Sequence, residues 1–141
     1  MAYDSNNVFA RILRGELPCV KLLDDQHTLA FMDVMPQTQG HALIICKEAA
    51  ETLLDVSPEA AAHTIRTTQR IARAVSRALG VPGLRIVQFN GSAAGQTVPH
   101  LHFHVIPVRP GESLRQHAAQ MTAAAELEPV AARIRAALDM L

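Results

Sequence analysis

Three histidines at alternate positions are the residues of this sequence best placed to do chemistry together. His100, His102 and His104 account for three of the chain's seven histidines within five residues. Because successive side chains of a β-strand point to opposite faces, a strand over 99–106 would set the three imidazoles in a row on one face. The residues that would enter the core from the other face are Leu101, Phe103 and Val105.

The row of imidazoles indicates nucleophilic attack on phosphorus. A neutral imidazole nitrogen is an effective nucleophile near neutral pH, because the ordinary histidine pKa is about 6.5. Neighbouring imidazoles can carry protons or donate hydrogen bonds to phosphoryl oxygens. The loop before the strand adds a cradle for an anion, since Gly95 lets the backbone approach a phosphate and Gln96 and Thr97 offer donors.

Two other interpretations of the histidine row stay open. One is a solvated strand face without a chemical role. The other is a metal site, although residues two apart on a strand are about 6.7 Å apart and zinc needs its nitrogens near 2 Å. The three histidines therefore cannot easily bind one ion. Two of them could, with a third ligand from elsewhere, but no carboxylate or cysteine has a spacing that identifies it.

Helical patterns occur in three parts of the chain. Apolar residues at helical spacing predict a short helix over 8–13. A cap at Ser57 and a stop at Gly80 bound a long helix over about 58–79, with apolar residues along one side. Beyond residue 111 the chain is predicted to turn helical again, with Pro129 in the first turn of its last helix.

Between the helices lie runs of β-prone residues bounded by turn formers. They predict strands over 20–23, 28–34, 41–46, 84–89 and 99–106. Strands joined by hairpins, with helices grouped to one side, indicate an α+β domain built on an antiparallel sheet.

Length and charge limit the classes of protein that the chain can belong to. Its 141 residues fit one domain that can bury a core without disulfides or a structural metal. The 13 basic and 13 acidic residues argue against a broad basic face for nucleic acid. The sequence has neither a secretory signal pattern nor an apolar segment long enough to cross a membrane. We therefore expect a cytoplasmic protein with no nucleic-acid or membrane partner.

The histidine row also carries a resemblance to a known family. Residues 100–106 match, at every position, the His-x-His-x-His pattern followed by two apolar residues that marks the histidine-triad (HIT) family of nucleotidyl hydrolases and transferases. The resemblance covers about residues 7–110 and implies a HIT-like fold there, followed by a C-terminal helical extension over 111–141 packed on that domain. Other segments that match the family in order and spacing are Phe31-Met32-Asp33, Pro36-Gln37, Gly40-His41, Asn90 and Gly95-Gln96-Thr97.

This resemblance implies a role for each matching residue. His102 resembles the nucleophile that takes the α-phosphate as a covalent nucleotidyl-histidine. His100, His104 and His41 resemble the partners that orient the imidazoles and bind phosphate oxygens. Asp33 resembles the acid that accepts hydrogen bonds from the ribose hydroxyls. The walls of the base pocket and the contacts to the phosphates are implied at Val8, Phe9, Phe31, Val34, Asn90, Gly95, Gln96 and Thr97.

The implied activity is hydrolysis of a purine nucleoside phosphoramidate, an adenylate or a dinucleoside polyphosphate, with release of a nucleoside monophosphate. His104 points to the hydrolase branches, since the third histidine is commonly glutamine in the transferase branch. The family is usually a homodimer whose two sheets join into one ten-stranded sheet, with the long helix at the interface. Two alternatives stay open, a non-catalytic nucleotide-binding or adaptor protein and a metal-binding module.

In one respect the sequence departs from some bacterial and eukaryotic relatives. Those relatives hold structural zinc through Cys-x-x-Cys near the N-terminus and a histidine after the strand that corresponds to 41–46. Here the two stretches read Asn7-Val8-Phe9-Ala10 and Lys47-Glu48-Ala49-Ala50. We therefore expect neither a metal nor a cofactor.

Overall fold

The computed structural model describes residues 2–116 and 120–141. Residues 117–119, which belong to the predicted extension over 111–141, lie outside the described residues. A single turn of 3-10 helix covers Ser92–Ala94. The helices and strands among the described residues are α1 (Val8–Leu13), β1 (Lys21–Asp24), β2 (Thr28–Met32), β3 (Ala42–Cys46), α2 (Pro58–Leu79), β4 (Gly83–Val87), β5 (His102–Val108) and α3 (Ala124–Leu138).

The five strands form one sheet in the order β1-β2-β3-β5-β4, with every neighbouring pair antiparallel. This confirms the predicted α+β class. Central strand β3 is buried at every position, as its continuous apolar run predicts. Its pairing with β5 sets His102 opposite Ile45 and His104 opposite Leu43.

The two faces of the sheet bury different helices. On one face, α2 and α3 cover a core that includes Ile44 and Val105. On the other face, Phe9 of α1 packs against Phe31 and Leu43 in a smaller cluster. Phe9 also contacts the rings of the first two histidines of the row, so the imidazoles lie on the α1 face while Phe103 packs against the opposite core.

Helix α2 begins and ends where its capping residues predict. The Ser57 hydroxyl accepts a hydrogen bond from the N–H of Ala60, and Pro58 occupies the first position. Gly80 ends the helix in the left-handed conformation, with φ of 61°. No helix among the described residues is both long enough and apolar enough to cross a membrane.

The predicted strand over 99–106 is wrong at both ends. Strand β5 begins at His102, because the N–H of His100 donates to the Val98 carbonyl in a tight turn and Leu101 donates to Ala50. It continues to Val108 through Pro107, which the sequence analysis placed after the strand. Proline is tolerated there because the pairing with β3 ends at Val105, so its missing N–H leaves no gap in that ladder.

The prediction that the chain turns helical directly beyond residue 111 is also wrong. The described residues from 111 to 123 form no helix, and α3 begins only at Ala124. Two backbone hydrogen bonds tie this segment to the loop after β2 instead, from Arg115 to Gln37 at 2.7 Å and from Thr122 to Val34 at 2.6 Å. Pro129 lies inside α3 rather than in its first turn.

Candidate active site

A cavity of about 610 Å³ opens on the α1 face of the sheet, and its walls are mostly apolar. Helix α1, the end of β2, the start of β5 and residues 121–124 surround it. Two histidines of the row, His102 and His104, line it together with Thr97. It also brings together five residues that the sequence analysis assigned to nucleotide binding, which are Val8, Phe9, Phe31, Asp33 and Val34.

The hydrogen bond at Nδ1 of His102 sets the state of the ring. This nitrogen lies 2.6 Å from the carbonyl oxygen of His100. A carbonyl can only accept, so Nδ1 carries the proton and the neutral ring keeps its lone pair on Nε2. The edge of the Phe9 ring packs against the imidazole, with ring centroids 4.8 Å apart. The ring is therefore held in one orientation, and the position of its lone pair is defined.

His41 is completely buried and links the row to the end of β2. Its Nδ1 accepts the backbone N–H of Gln37 at 3.0 Å, so the proton of the neutral ring is on Nε2. That nitrogen lies 2.9 Å from Nδ1 of His104 and 3.3 Å from Oδ2 of Asp33. His104 accepts at Nδ1 and consequently carries its own proton on Nε2. The single N–H at Nε2 of His41 thus faces both His104 and Asp33, and we call these three residues, which lie beside His102, the His41 group.

Gly40, directly before His41, has a backbone conformation that favours glycine. Its φ of 94° lies in the left-handed region, and a Cβ there would clash with the end of the Leu79 side chain. A larger residue would therefore strain the backbone where it enters β3 and displace the Leu79 side chain.

Asp33, His41 and His104 also form a group with metal-ligand character. One ligand atom from each lies within 4.8 Å of the others. Of these three residues only His104 belongs to the histidine row, so the group differs from the metal site weighed from the sequence, which needs two histidines of that row and a third ligand. The group fits a cation poorly, because ligation would need a lone pair on Nε2 of His41 while Nδ1 already accepts the Gln37 N–H. The geometry suits a hydrogen bond from His41 to His104 with the Asp33 carboxylate beside it.

His100 stands outside the cavity and is also completely buried. Its Nε2 lies 2.6 Å from the Cys46 carbonyl and its Nδ1 lies 2.5 Å from the Tyr3 hydroxyl. Burial lowers the pKa of the His100 imidazole, and the Cys46 carbonyl offsets this only in part. The His100 ring is therefore kept neutral. Burial likewise raises the pKa of the adjacent Cys46 thiol to about 11, which keeps it protonated.

Acidification is expected to destabilise the fold through His100. The unfolded chain binds a proton at this residue below about pH 6.5, whereas the folded chain does so only at lower pH. The free energy of unfolding should therefore fall as the pH drops from the unfolded pKa toward the folded pKa. Urea unfolding between about pH 7.5 and 5.5 measures this slope. His100→Gln cannot titrate and should flatten it; an unchanged slope in that variant would contradict the prediction.

Three predicted nucleotide-binding residues do not line the cavity, namely Asn90, Gly95 and Gln96. The Asn90 side chain is exposed and contacts Leu53 and Gln88. The Gln96 amide is buried, accepts from the N–H of Gly91 and donates to the carbonyls of Glu51 and Val98. In this structure Gln96 holds the loop before β5 together, and its predicted contact with phosphate stays a prediction.

Sequence reasoning missed Tyr3, which lies near the N-terminus, contacts His100 and belongs to no motif. It left open whether the C-terminal segment, from the same chain or from a partner, completes the mouth of the pocket. The structure brings Met121 and Thr122 of the same chain into the cavity wall. The bond from the Thr122 N–H to Val34 brings this segment to the cavity, and no local pattern signals such a contact.

Comparison with known proteins identifies the same motif. A family model described as the HIT domain matches residues 14–111. A 13.2 kDa HIT-like protein of Azospirillum brasilense is 48% identical over 109 residues, 76% of this chain and 89% of its own length. Adenosine 5'-monophosphoramidase hnt1 of Schizosaccharomyces pombe is 39% identical over 105 residues, 74% of this chain and 75% of its own.

The fold comparison agrees with the sequence comparison. The crystal structure of a HIT-like protein from Bartonella henselae superposes with a TM-score of 0.90 at 44% identity. The superposition covers 96% of this chain and 99% of that protein, so the agreement extends beyond the matched domain into the C-terminal segment. The chain therefore belongs to the histidine-triad (HIT) family.

Proposed function

We propose that the protein hydrolyses a purine nucleoside 5'-phosphoryl compound at its α-phosphorus and releases a nucleoside monophosphate. The observation that carries this proposal is the state of His102, whose protonated Nδ1 is bound to a backbone carbonyl and whose nucleophilic Nε2 belongs to a cavity-lining ring. A protein that only binds nucleotides has no need of that arrangement. The name of the S. pombe relative, a monophosphoramidase, supports a phosphoramidate as the first substrate to test.

The first step forms a bond from Nε2 of His102 to the α-phosphorus and breaks the bond to the leaving group. The leaving group departs with that electron pair and takes a proton from water. The phosphorylated imidazole is cationic while Nδ1 keeps its proton, and the His100 carbonyl, 2.6 Å away, stabilises that charge. In the second step, water attacks the same phosphorus and gives up a proton to the solvent, which replaces the proton that the leaving group took. The N–P bond breaks, and its electron pair returns to Nε2.

His104, a member of the His41 group, supplies a hydrogen-bond donor for the phosphate. His104 carries its proton on Nε2 because Nδ1 accepts from His41, and its ring lines the cavity. This N–H is suited to a phosphoryl oxygen, where negative charge builds up during attack. Oδ2 of Asp33 lies 3.3 Å from Nε2 of His41, so this carboxylate balances positive charge on the His41 group.

The rest of the cavity suits a nucleoside. Phe9 and Phe31 contribute a pair of rings with centroids 5.7 Å apart, and the neighbouring walls are also apolar. Such walls bind a flat base by shape without selecting adenine over guanine by hydrogen bonds. The Asp33 carboxylate at the same cavity is suited to the ribose hydroxyls.

The test is turnover of a small panel by the purified protein. Adenosine and guanosine phosphoramidates, an adenylate and a dinucleoside polyphosphate should be assayed for release of nucleoside monophosphate. Acid quenching during turnover should trap a nucleotidyl adduct on His102, seen by mass spectrometry of the peptide. Tight binding of nucleoside monophosphate without any turnover would instead favour the non-catalytic alternative.

A homodimer is part of the proposal. Strand β4 ends the sheet and, among the residues that the structure describes, pairs with β5 alone, so its outer edge offers backbone groups for pairing. Ile86 of β4 is 46% exposed and lies opposite Val105, hence on the α2 face, and Ile65 of α2 is 48% exposed. This edge and α2 together suit pairing with a second copy, while the cavity is lined within one chain.

Light scattering at micromolar concentration should report about twice the 15.3 kDa chain mass. Ile86→Lys places a charge in the proposed interface and should shift the mass toward that of the monomer. Lys21→Ala is the control, because Lys21 is exposed on β1, the strand at the other end of the sheet. A wild-type monomer that is fully active at the same concentration would refute the dimer.

A further inference from the structure

Residues 2–7, which we call the N-terminal arm, lie against the first histidine of the row. The Tyr3 hydroxyl is 2.5 Å from Nδ1 of His100, and the two rings meet edge to face with centroids 5.7 Å apart. The Asn7 side chain donates to the Tyr3 oxygen at 2.8 Å. Asn7 also caps α1, since its Oδ1 accepts from the N–H of Ala10. The arm thus joins His100 to the helix that lines the cavity.

The direction of each hydrogen bond in this group is fixed. Nε2 of His100 faces the Cys46 carbonyl at 2.6 Å and must donate, which leaves Nδ1 as the acceptor. The Tyr3 hydroxyl must therefore donate to Nδ1, and its oxygen receives the N–H of Asn7 in return. His100 is therefore held at both ring nitrogens: the Cys46 carbonyl fixes the tautomer, and the Tyr3 hydroxyl donates to the nitrogen that this tautomer leaves as an acceptor.

The same residue holds the nucleophile through its backbone. The His100 carbonyl accepts Nδ1–H of His102 at 2.6 Å, and the His100 N–H is bound to Val98. The orientation of His102 therefore depends on where the His100 peptide lies. Two hydrogen bonds to the His100 ring restrain that peptide from the side away from the cavity.

We propose that Tyr3 is a positioning residue for His102, acting through His100 in the reaction of the proposed function, on which this inference rests. Tyr3 does not line the cavity, so it acts without touching substrate. Its hydroxyl donates to the His100 ring and so holds in place the residue whose carbonyl orients His102.

The charge states of both groups agree with this role. Burial raises the pKa of the Tyr3 hydroxyl, partly offset by the bond from Asn7, so the hydroxyl stays a donor at neutral pH. Burial lowers the pKa of His100, so its Nδ1 stays an acceptor. The bond between them is a neutral one that persists across the pH range in which the enzyme would work.

The first test is Tyr3→Phe, which removes the hydroxyl and keeps the ring. We expect kcat to fall about tenfold with KM within about twofold of wild type, because one buried hydrogen bond is lost outside the substrate site. Asn7→Asp keeps the cap on α1 but replaces the donor to Tyr3 with an acceptor that competes for its proton, so kcat should fall here too. Asn6→Ala, an exposed neighbour in the arm, is the matched control.

The second test needs no substrate. Imidazole ¹⁵N NMR of the wild type should show His102 protonated at Nδ1 and His100 protonated at Nε2. In Tyr3→Phe, the second His102 tautomer should become populated, which a purely structural role in stability would not cause. Unchanged His102 nitrogen shifts in that variant, or kcat within twofold of wild type, would overturn the proposal. Absence of turnover in the wild type would contradict the proposed function instead, and the NMR comparison would still decide whether Tyr3 holds the tautomers.

Discussion

Replacing His102 with alanine should lower the rate of hydrolysis by at least about three orders of magnitude while nucleoside monophosphate still binds. Removal of a covalent nucleophile leaves only the uncatalysed attack of water, and residual positioning by the remaining groups cannot restore the lost step. The cavity walls stay in place, because His102 contributes one side of a space that α1 and β2 also enclose. Steady-state kinetics on the best substrate of the panel and titration with the monophosphate measure the two effects.

Two controls make the result specific to the nucleophile. His63→Ala removes another imidazole, one that lies on α2 and stacks on His27 away from the cavity, and should keep wild-type kinetics. The nucleotidyl adduct seen after acid quenching should disappear in His102→Ala and persist in His63→Ala. A loss of activity below about tenfold in His102→Ala would remove this residue from the role of nucleophile.

The histidine row could be predicted from the sequence because strand geometry repeats every two residues. That period places His102 and His104 on one face and Phe103 on the other, whatever the strand pairs with. The beginning of the strand could not be predicted the same way. The N–H of His100 is bound in a turn to Val98, and this depends on backbone angles that side-chain types do not specify.

The arrangement of the His41 group could be predicted only in part. Resemblance to the family named Asp33, His41 and His104, but nothing in their spacing shows that they touch. Their contact depends on β3 pairing with both β2 and β5, which is a matter of strand order. Hydrophobic patterns determine which face of a strand is buried and leave the order of strands open. The register of β3 with β5 then brings the histidines together.

The arm at Tyr3 was beyond sequence reasoning for a related reason, and so was the contact that brings residues 121–124 into the cavity wall. Both segments reach the site through contacts between residues far apart in the chain, Thr122 with Val34 and Tyr3 with His100. Each contact includes a hydrogen bond made by a segment outside the sheet and outside α1. The periodicity of apolar residues and the secondary-structure propensities carry no information about such contacts, because the packing of the whole chain determines them.

The Asp33→Ala substitution should weaken binding of a ribonucleoside monophosphate by about tenfold to a hundredfold, since a hydrogen bond to a charged acceptor contributes about 1.5–3 kcal/mol. Binding of the 2',3'-dideoxy analogue should change by less than about threefold, because it lacks both hydroxyls that the carboxylate would accept. Titration of each ligand into wild type and variant gives the four dissociation constants. Asp139→Ala, an exposed acid after α3, is the matched control.

The comparison also separates two functions of one carboxylate. Oδ1 of Asp33 accepts the N–H of Met35 at 2.8 Å, which fixes the side chain, while Oδ2 lies 3.3 Å from Nε2 of His41. If Asp33 served only to support His41, its loss would lower kcat for ribo and dideoxy substrates alike and weaken both ligands equally. Equal weakening would thus remove Asp33 from the ribose site. The other outcome is a loss of affinity for the ribonucleotide alone, together with a fall in kcat for both substrates. It would mean that the same buried carboxylate binds the sugar and supports the His41 group beside His102.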